Sequence, residues 1–76
     1  MEQIPVRINT SFIKLDQLLK FSGIADTGSM AKGMILDECV TVNGEICTMR
    51  GKKVGEGDQI RIRCDGIDSL ITVHGR

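Results

Sequence analysis

The sequence predicts an α+β fold, two short helices packed on a small twisted antiparallel sheet, and three observations carry that prediction. Two apolar stripes at helical spacing lie in the first half of the chain, over residues 12–22 and 30–35. Runs of period-two alternation flank them at residues 3–8 and 59–64. Between these regions Asn43-Gly44 joins Val40-Thr41-Val42 to Glu45-Ile46, and both turn residues tolerate the positive φ that a type I′ hairpin requires. The element order reads β-α-α-β-β-β-β, in one domain spanning residues 1–76.

The first strand follows from Ile4, Val6 and Ile8 alternating with Pro5 and Arg7. Pro5 has no N–H to give to a ladder, which confines this strand to an edge or the segment to a strand start. Thr10 and Ser11 are candidate caps for the first helix, whose stripe is Phe12, Leu15, Leu18, Leu19 and Ser22. Asp16, Gln17 and Lys20 fall on its other side, and Gly23 is a natural stop.

Asp26-Thr27-Gly28-Ser29 supplies N-cap chemistry to a second helix, in which Met30, Ala31, Met34 and Ile35 stack as i,i+4 neighbours. Gly33 inside that helix costs about 1 kcal/mol relative to Ala unless it permits a close helix–sheet approach. The helix ends near Asp37.

The hairpin strands run over Val40–Val42 and Glu45–Thr48, and Gly51, Gly55 and Gly57 punctuate the loop that follows. Gln59 to Cys64 then alternates, with Ile60, Ile62 and Cys64 on one face and Arg61 and Arg63 on the other. Asp65-Gly66 invites a further turn, and Ser69 to Val73 can return as a strand. Hairpin and frayed terminus both stay open for this tail.

Composition narrows the function. At 76 residues and 41% apolar side chains, the chain can build one core without metal or disulfides. Net charge is zero, which argues against a general coat for polyanions, yet five of the ten basic residues lie between positions 50 and 63. A locally positive face of this kind points to RNA as its reader. Three cysteines, Cys39, Cys47 and Cys64, have no Cys-x-x-Cys spacing, and His74 is the single histidine, so no zinc site is expected. The cysteines read as small core or strand residues of a reducing cytosol, and no apolar run is long enough to span a membrane. An enzyme would need a nucleophile–base pair, a carboxylate pair or a metal cluster, and no such set is evident. The glycines sit at turns and caps rather than in a phosphate-cradling G-x-x-x-x-G-K motif. The expectation is a cytoplasmic, monomeric, non-catalytic domain with no cofactor and no metal.

Four pieces of sequence, in order, carry a resemblance. Lys14-Leu15-Asp16-Gln17-Leu18-Leu19-Lys20 resembles the basic-Leu-Asp-x-Leu-Leu opening of the alpha-L RNA-binding domain, named for the fourth protein of the small ribosomal subunit. Thr27, Ala31, Lys32 and Ile35 match its second-helix pattern, and Val40-x-Val42-Asn43-Gly44 its hairpin. Val54-x-x-Gly57-Asp58-x-Ile60 matches its closing strand, and Arg50-Gly51-Lys52-Lys53 is similar to a small stand-alone bacterial branch. The resemblance covers about residues 12–63. The chain departs from the pattern at Gly28, where the family usually has arginine, and at Glu38, where it often has glycine.

The resemblance implies that the two helices and the hairpin loop grip structured RNA, with ribosomal RNA the leading partner. Lys14, Lys32, Arg50, Lys52 and Lys53 would carry the phosphate contacts, with the N-terminus of the second helix adding amide donors. Lys20 is a further candidate, and Asn43 a secondary one because it is first a turn-former. Arg61 and Arg63 can pair across strands or bind RNA. Trp and Tyr are absent, and Phe12 and Phe21 are expected in the core, so recognition should be electrostatic and led by RNA shape rather than by base stacking. The competing class is a protein-interaction module whose basic loop docks an acidic partner.

Overall fold

In the computed structural model, which describes residues 1–75, the elements run β1 Glu2–Arg7, β2 Ile13–Lys14, α1 Leu15–Phe21, α2 Gly28–Leu36, β3 Val40–Val42, β4 Glu45–Ile46, β5 Lys53–Val54, β6 Gln59–Cys64 and β7 Ile67–His74. Five strands form one sheet in the order β1-β7-β6-β3-β4, while β2 and β5 pair separately as a second, two-stranded sheet. The α+β architecture is the one the sequence implies. Its main sheet is mixed rather than antiparallel, because β1 lies parallel to β7, with Glu2 beside Ser69 and Arg7 beside His74. A parallel pair cannot be closed by a tight turn and needs a crossover, and here all the intervening chain, both helices included, serves as one. Pro5 sits on the edge strand, as its missing N–H requires.

The tail is an ordered strand. Asp65 (φ 46°) and Gly66 (φ 86°) form a two-residue turn, and β7 pairs with β6 from Cys64↔Ile67 to Gln59↔Thr72. Its inward residues Ser69, Ile71 and Val73 are buried, and β7 lies between β1 and β6. The core joins Leu15, Leu18 and Leu19 of α1 and Ala31 and Ile35 of α2 to Val40, Ile60, Ile62, Ile71 and Val73 of the sheet. Each Val, Leu or Ile among them contributes about 1.5–3 kcal/mol of burial, which makes this cluster the main source of stability.

Helix α2 starts where its cap chemistry dictates, with the Met30 N–H donating to the Thr27 hydroxyl at 3.1 Å. It stops in a left-handed turn. The Glu38 N–H donates to the Ile35 carbonyl and the Cys39 N–H to the Met34 carbonyl, both at 3.1 Å. Glu38 therefore holds φ 62°, a conformation that glycine adopts freely and L side chains resist. The sequence departure from the family's glycine thus places a strained residue at the helix end. Gly33 is not a contact glycine, since a Cβ there would meet nothing within 4 Å.

Helix α1 departs from its expected start. It begins at Leu15 with Lys14 as an N-cap that has no side-chain bond, while the Thr10 hydroxyl instead donates to the Phe12 carbonyl at 2.8 Å. Phe12 thus lies before the helix and Phe21 on its last residue, and they are 41% and 66% exposed rather than in the core. The buried stripe of α1 consists of Leu15, Leu18 and Leu19, without Phe12. The three cysteines are free and half-buried, with Cys39, Cys47 and Cys64 packed against the core.

Candidate nucleic-acid interface

What caps α1 also builds the site. A helix start leaves backbone N–H groups without partners inside the helix. The Leu15 N–H donates to the Lys52 carbonyl at 2.8 Å, and the Asp16 N–H donates to the Arg50 carbonyl at 3.1 Å. The basic turn is closed by the Lys52 N–H donating to the Met49 carbonyl at 3.1 Å. The first turn of the helix thereby holds the Arg50–Lys53 segment by its backbone, leaving the side chains outside.

The β2–β5 ladder completes the placement. Ile13 pairs with Val54 and Lys14 with Lys53. Because side chains alternate across a strand, the half-buried Ile13 and buried Val54 face the core while Lys14 and Lys53 face out together. Directly opposed residues bring their Cβ atoms to about 5 Å, so two like charges share one face. Lys14, Arg50, Lys52 and Lys53 are all exposed. Among the described residues the one ion pair is Arg61–Asp68, so these four cations are not neutralised by any salt bridge there.

The hairpin faces the same turn across an open cleft of about 470 Å³, lined by Val42 and Asn43 on one side and Lys52, Lys53 and Asp58 on the other. Asn43 (φ 51°) and Gly44 (φ 90°) form the expected turn. Asn43 also latches it down: its amide Nδ2 donates to Asp58 Oδ1 at 3.0 Å, and its Oδ1 accepts from the Gln59 N–H at 2.9 Å. Asp58 in turn accepts from the Gly55 N–H at 2.8 Å. That bond, then the Asn43 amide, then the nearby Lys52 charge hold the Asp58 carboxyl below its ordinary 3.8, against an opposing effect of burial. Asn43 thus has an architectural task that absorbs its amide oxygen and a donor.

The remaining candidates are distributed elsewhere. Lys20 lies in the last turn of α1 and Lys32 on α2, both exposed, and no ion pair or hydrogen bond ties either to the four-cation cluster among the described residues. Arg61 is committed to Asp68 on β7 at 3.2 Å, and Arg63 stays exposed on the same strand. Asp16 caps locally, accepting from the Gln17 N–H at 2.8 Å.

Cys64 lies away from this surface, beside Met34 and Asp37. The Cys64 thiol is pushed up to about 11, first by the neighbouring Cys39 thiol and then by burial, which keeps it a poor nucleophile at neutral pH. No helix among the described residues is long and apolar enough to cross a membrane.

The family model of the S4 domain matches residues 6–72. The chain belongs to the S4 domain family. A relative from Bacillus subtilis (strain 168), named "Probable ribosome maturation protein RlbA", is 38% identical over 70 residues, covering 92% of this chain and 96% of its own length. The match takes in the end of β1, Val6 and Arg7, which precedes the stretch that the sequence motifs mark, and much of β7, which follows it.

In this S4 domain, Gly28 is the first residue of α2 and has open space around it, with nothing within 4 Å of a Cβ built there. A Cβ at this position would therefore meet no clash. Two features of the site escape the sequence reading, the β2–β5 ladder and the exposed Phe12. The alternation Phe12-Ile13-Lys14 was the available signal, masked by the helical spacing of Phe12 to Leu15 and Leu19.

Proposed function

We propose that this S4 domain is a non-catalytic, cytoplasmic RNA-binding module that acts in ribosome maturation by gripping structured ribosomal RNA. One observation supports it above others: Lys14, Arg50, Lys52 and Lys53 are gathered at the start of α1 and have no salt bridge among the described residues. Opposing Lys14 to Lys53 disfavours the free protein, and a phosphate between them reverses the sign of that interaction. Such contacts fix position and register on RNA without reading bases, so selectivity would come from RNA shape. The relative's printed role in ribosome maturation supplies the biological setting.

The test is fluorescence anisotropy with a labelled structured ribosomal RNA fragment at low and moderate salt. Four phosphate contacts predict an affinity loss of about 50- to 150-fold between roughly 50 and 200 mM salt. The Arg50→Ala/Lys52→Ala/Lys53→Ala variant should bind more weakly with a shallower salt slope, while its thermal unfolding stays near that of the parent. Equal binding by parent and variant would sink the proposal and leave an acidic protein partner as the better reading of the basic turn.

A further inference from the structure

Phe12 is a large side chain that lies beside the cations and that the core does not use. It is 41% exposed, and Lys53 Nζ rests over its ring at 4.8 Å from the centroid. Its position is held from both sides. The Thr10 hydroxyl binds its carbonyl at 2.8 Å, and Ile13 enters the β2–β5 ladder. The preceding Ser11 carbonyl abuts Gly55 so closely that a Cβ there would lie at 3.0 Å. Strand alternation then sets Phe12 on the face of Lys14, diagonal to Lys53. A lysine over an aromatic face is held only weakly at an exposed site, so a phosphate can draw it away and leave the π-face bare.

We propose that Phe12 is a stacking platform for one unpaired base, flanked by phosphates on Lys14 and Lys53. The RNA class this selects is a duplex end or junction that carries a single-stranded nucleotide. The inference rests on reading the four-cation cluster as the RNA site. It replaces the expectation of binding without stacking, which depended on both phenylalanines being buried. Phe21 is more exposed, at 66%, but borders a different cleft, where Arg7 is the one cation among the described lining residues, and so serves as a control.

The experiment compares a blunt RNA hairpin with the same hairpin bearing a short single-stranded overhang, by anisotropy. The parent should prefer the overhang RNA by about tenfold, the scale of one base stacked on an aromatic ring. Phe12→Leu should lose that preference while binding the blunt hairpin as before, and Phe21→Leu should keep it. Phe12→Trp should also keep it, with indole fluorescence quenched by the overhang RNA and not by the blunt one. No preference in the parent, a full preference in Phe12→Leu, or an equal loss in Phe21→Leu would each overturn the platform. If the triple alanine variant of the basic turn binds both RNAs as tightly as the parent, the underlying RNA site fails instead. Charge-dependent binding without overhang preference defeats the stacking inference alone.

Discussion

Two antiparallel ladders in this chain treat charge in opposite ways. Between β6 and β7, Arg61 donates from Nε and Nη2 to the two carboxylate oxygens of Asp68, at 3.2 and 3.3 Å. Between β2 and β5, Lys14 stands opposite Lys53, with no ion pair among the described residues to offset the repulsion. The larger ladder also carries the core, through Ile60, Ile62, Ile71 and Val73, whereas the smaller one buries little beyond Val54. Charge that serves the fold is neutralised inside it. Charge left unneutralised on a two-residue ladder costs the free protein a little stability, a repulsion that a bound anion would relieve.

The comparison can be broken most strongly at Asn43, which joins the hairpin to the Gly55–Asp58 turn. Asn43→Ala loses two side-chain hydrogen bonds and leaves alanine at φ 51°, and it should cost about 2–3 kcal/mol in urea unfolding. Its acid branch should change too. The Asp58 carboxyl is held below 3.8 in the fold, so its stabilisation is complete above that value and is lost as pH falls through the lower folded one. Without the Asn43 amide the folded value rises toward 3.8, and the loss of stability on the acid side becomes smaller. RNA affinity of the folded variant should change little; a large affinity loss at intact stability would move Asn43 from the fold into the interface.

Lys14→Glu sharpens the contrast because it converts the repulsive pair into an attractive one. Thermal stability should rise by about 0.5 kcal/mol, while RNA affinity falls by roughly tenfold. A rise in both, or a fall in both, would mean that the like-charge ladder is not a binding device. Asp68→Ala is the smallest expected effect. The Arg61–Asp68 pair is 40% and 42% exposed, so its loss should cost no more than about 0.5 kcal/mol and leave RNA binding unchanged.

Much of the architecture was legible because it depends on local chemistry. Asn43-Gly44 and Asp65-Gly66 can take left-handed backbone, so the first could be read as a hairpin turn and the second as a turn whose returning strand stayed open. Thr27 could be recognised as a cap and Gly23 as a stop for the same reason, since each acts within a few residues of itself. The alternation of Ile60 and Ile62 with Arg61 and Arg63 placed β6 and its inward face. The basic residues at 50–53 could likewise be picked out as a candidate surface from their density alone.

Only tertiary structure decided where those charges sit relative to one another. Where α1 begins depends on carbonyls of Lys52 and Arg50, more than 30 residues away, and not on Thr10 or Ser11 beside it. Phe12 fits the helical stripe by spacing yet lies outside the helix, because Ile13 and Lys14 are drawn into pairing with Val54 and Lys53. The parallel pairing of β1 with β7 is of the same kind, joining the two ends of the chain. Period and propensity are local quantities, whereas strand partners are chosen by which distant surfaces can bury their apolar faces together. The sequence by itself determined the elements, the turns and the supply of charge. Folding determined that four of those charges meet at one helix start with an aromatic ring beside them.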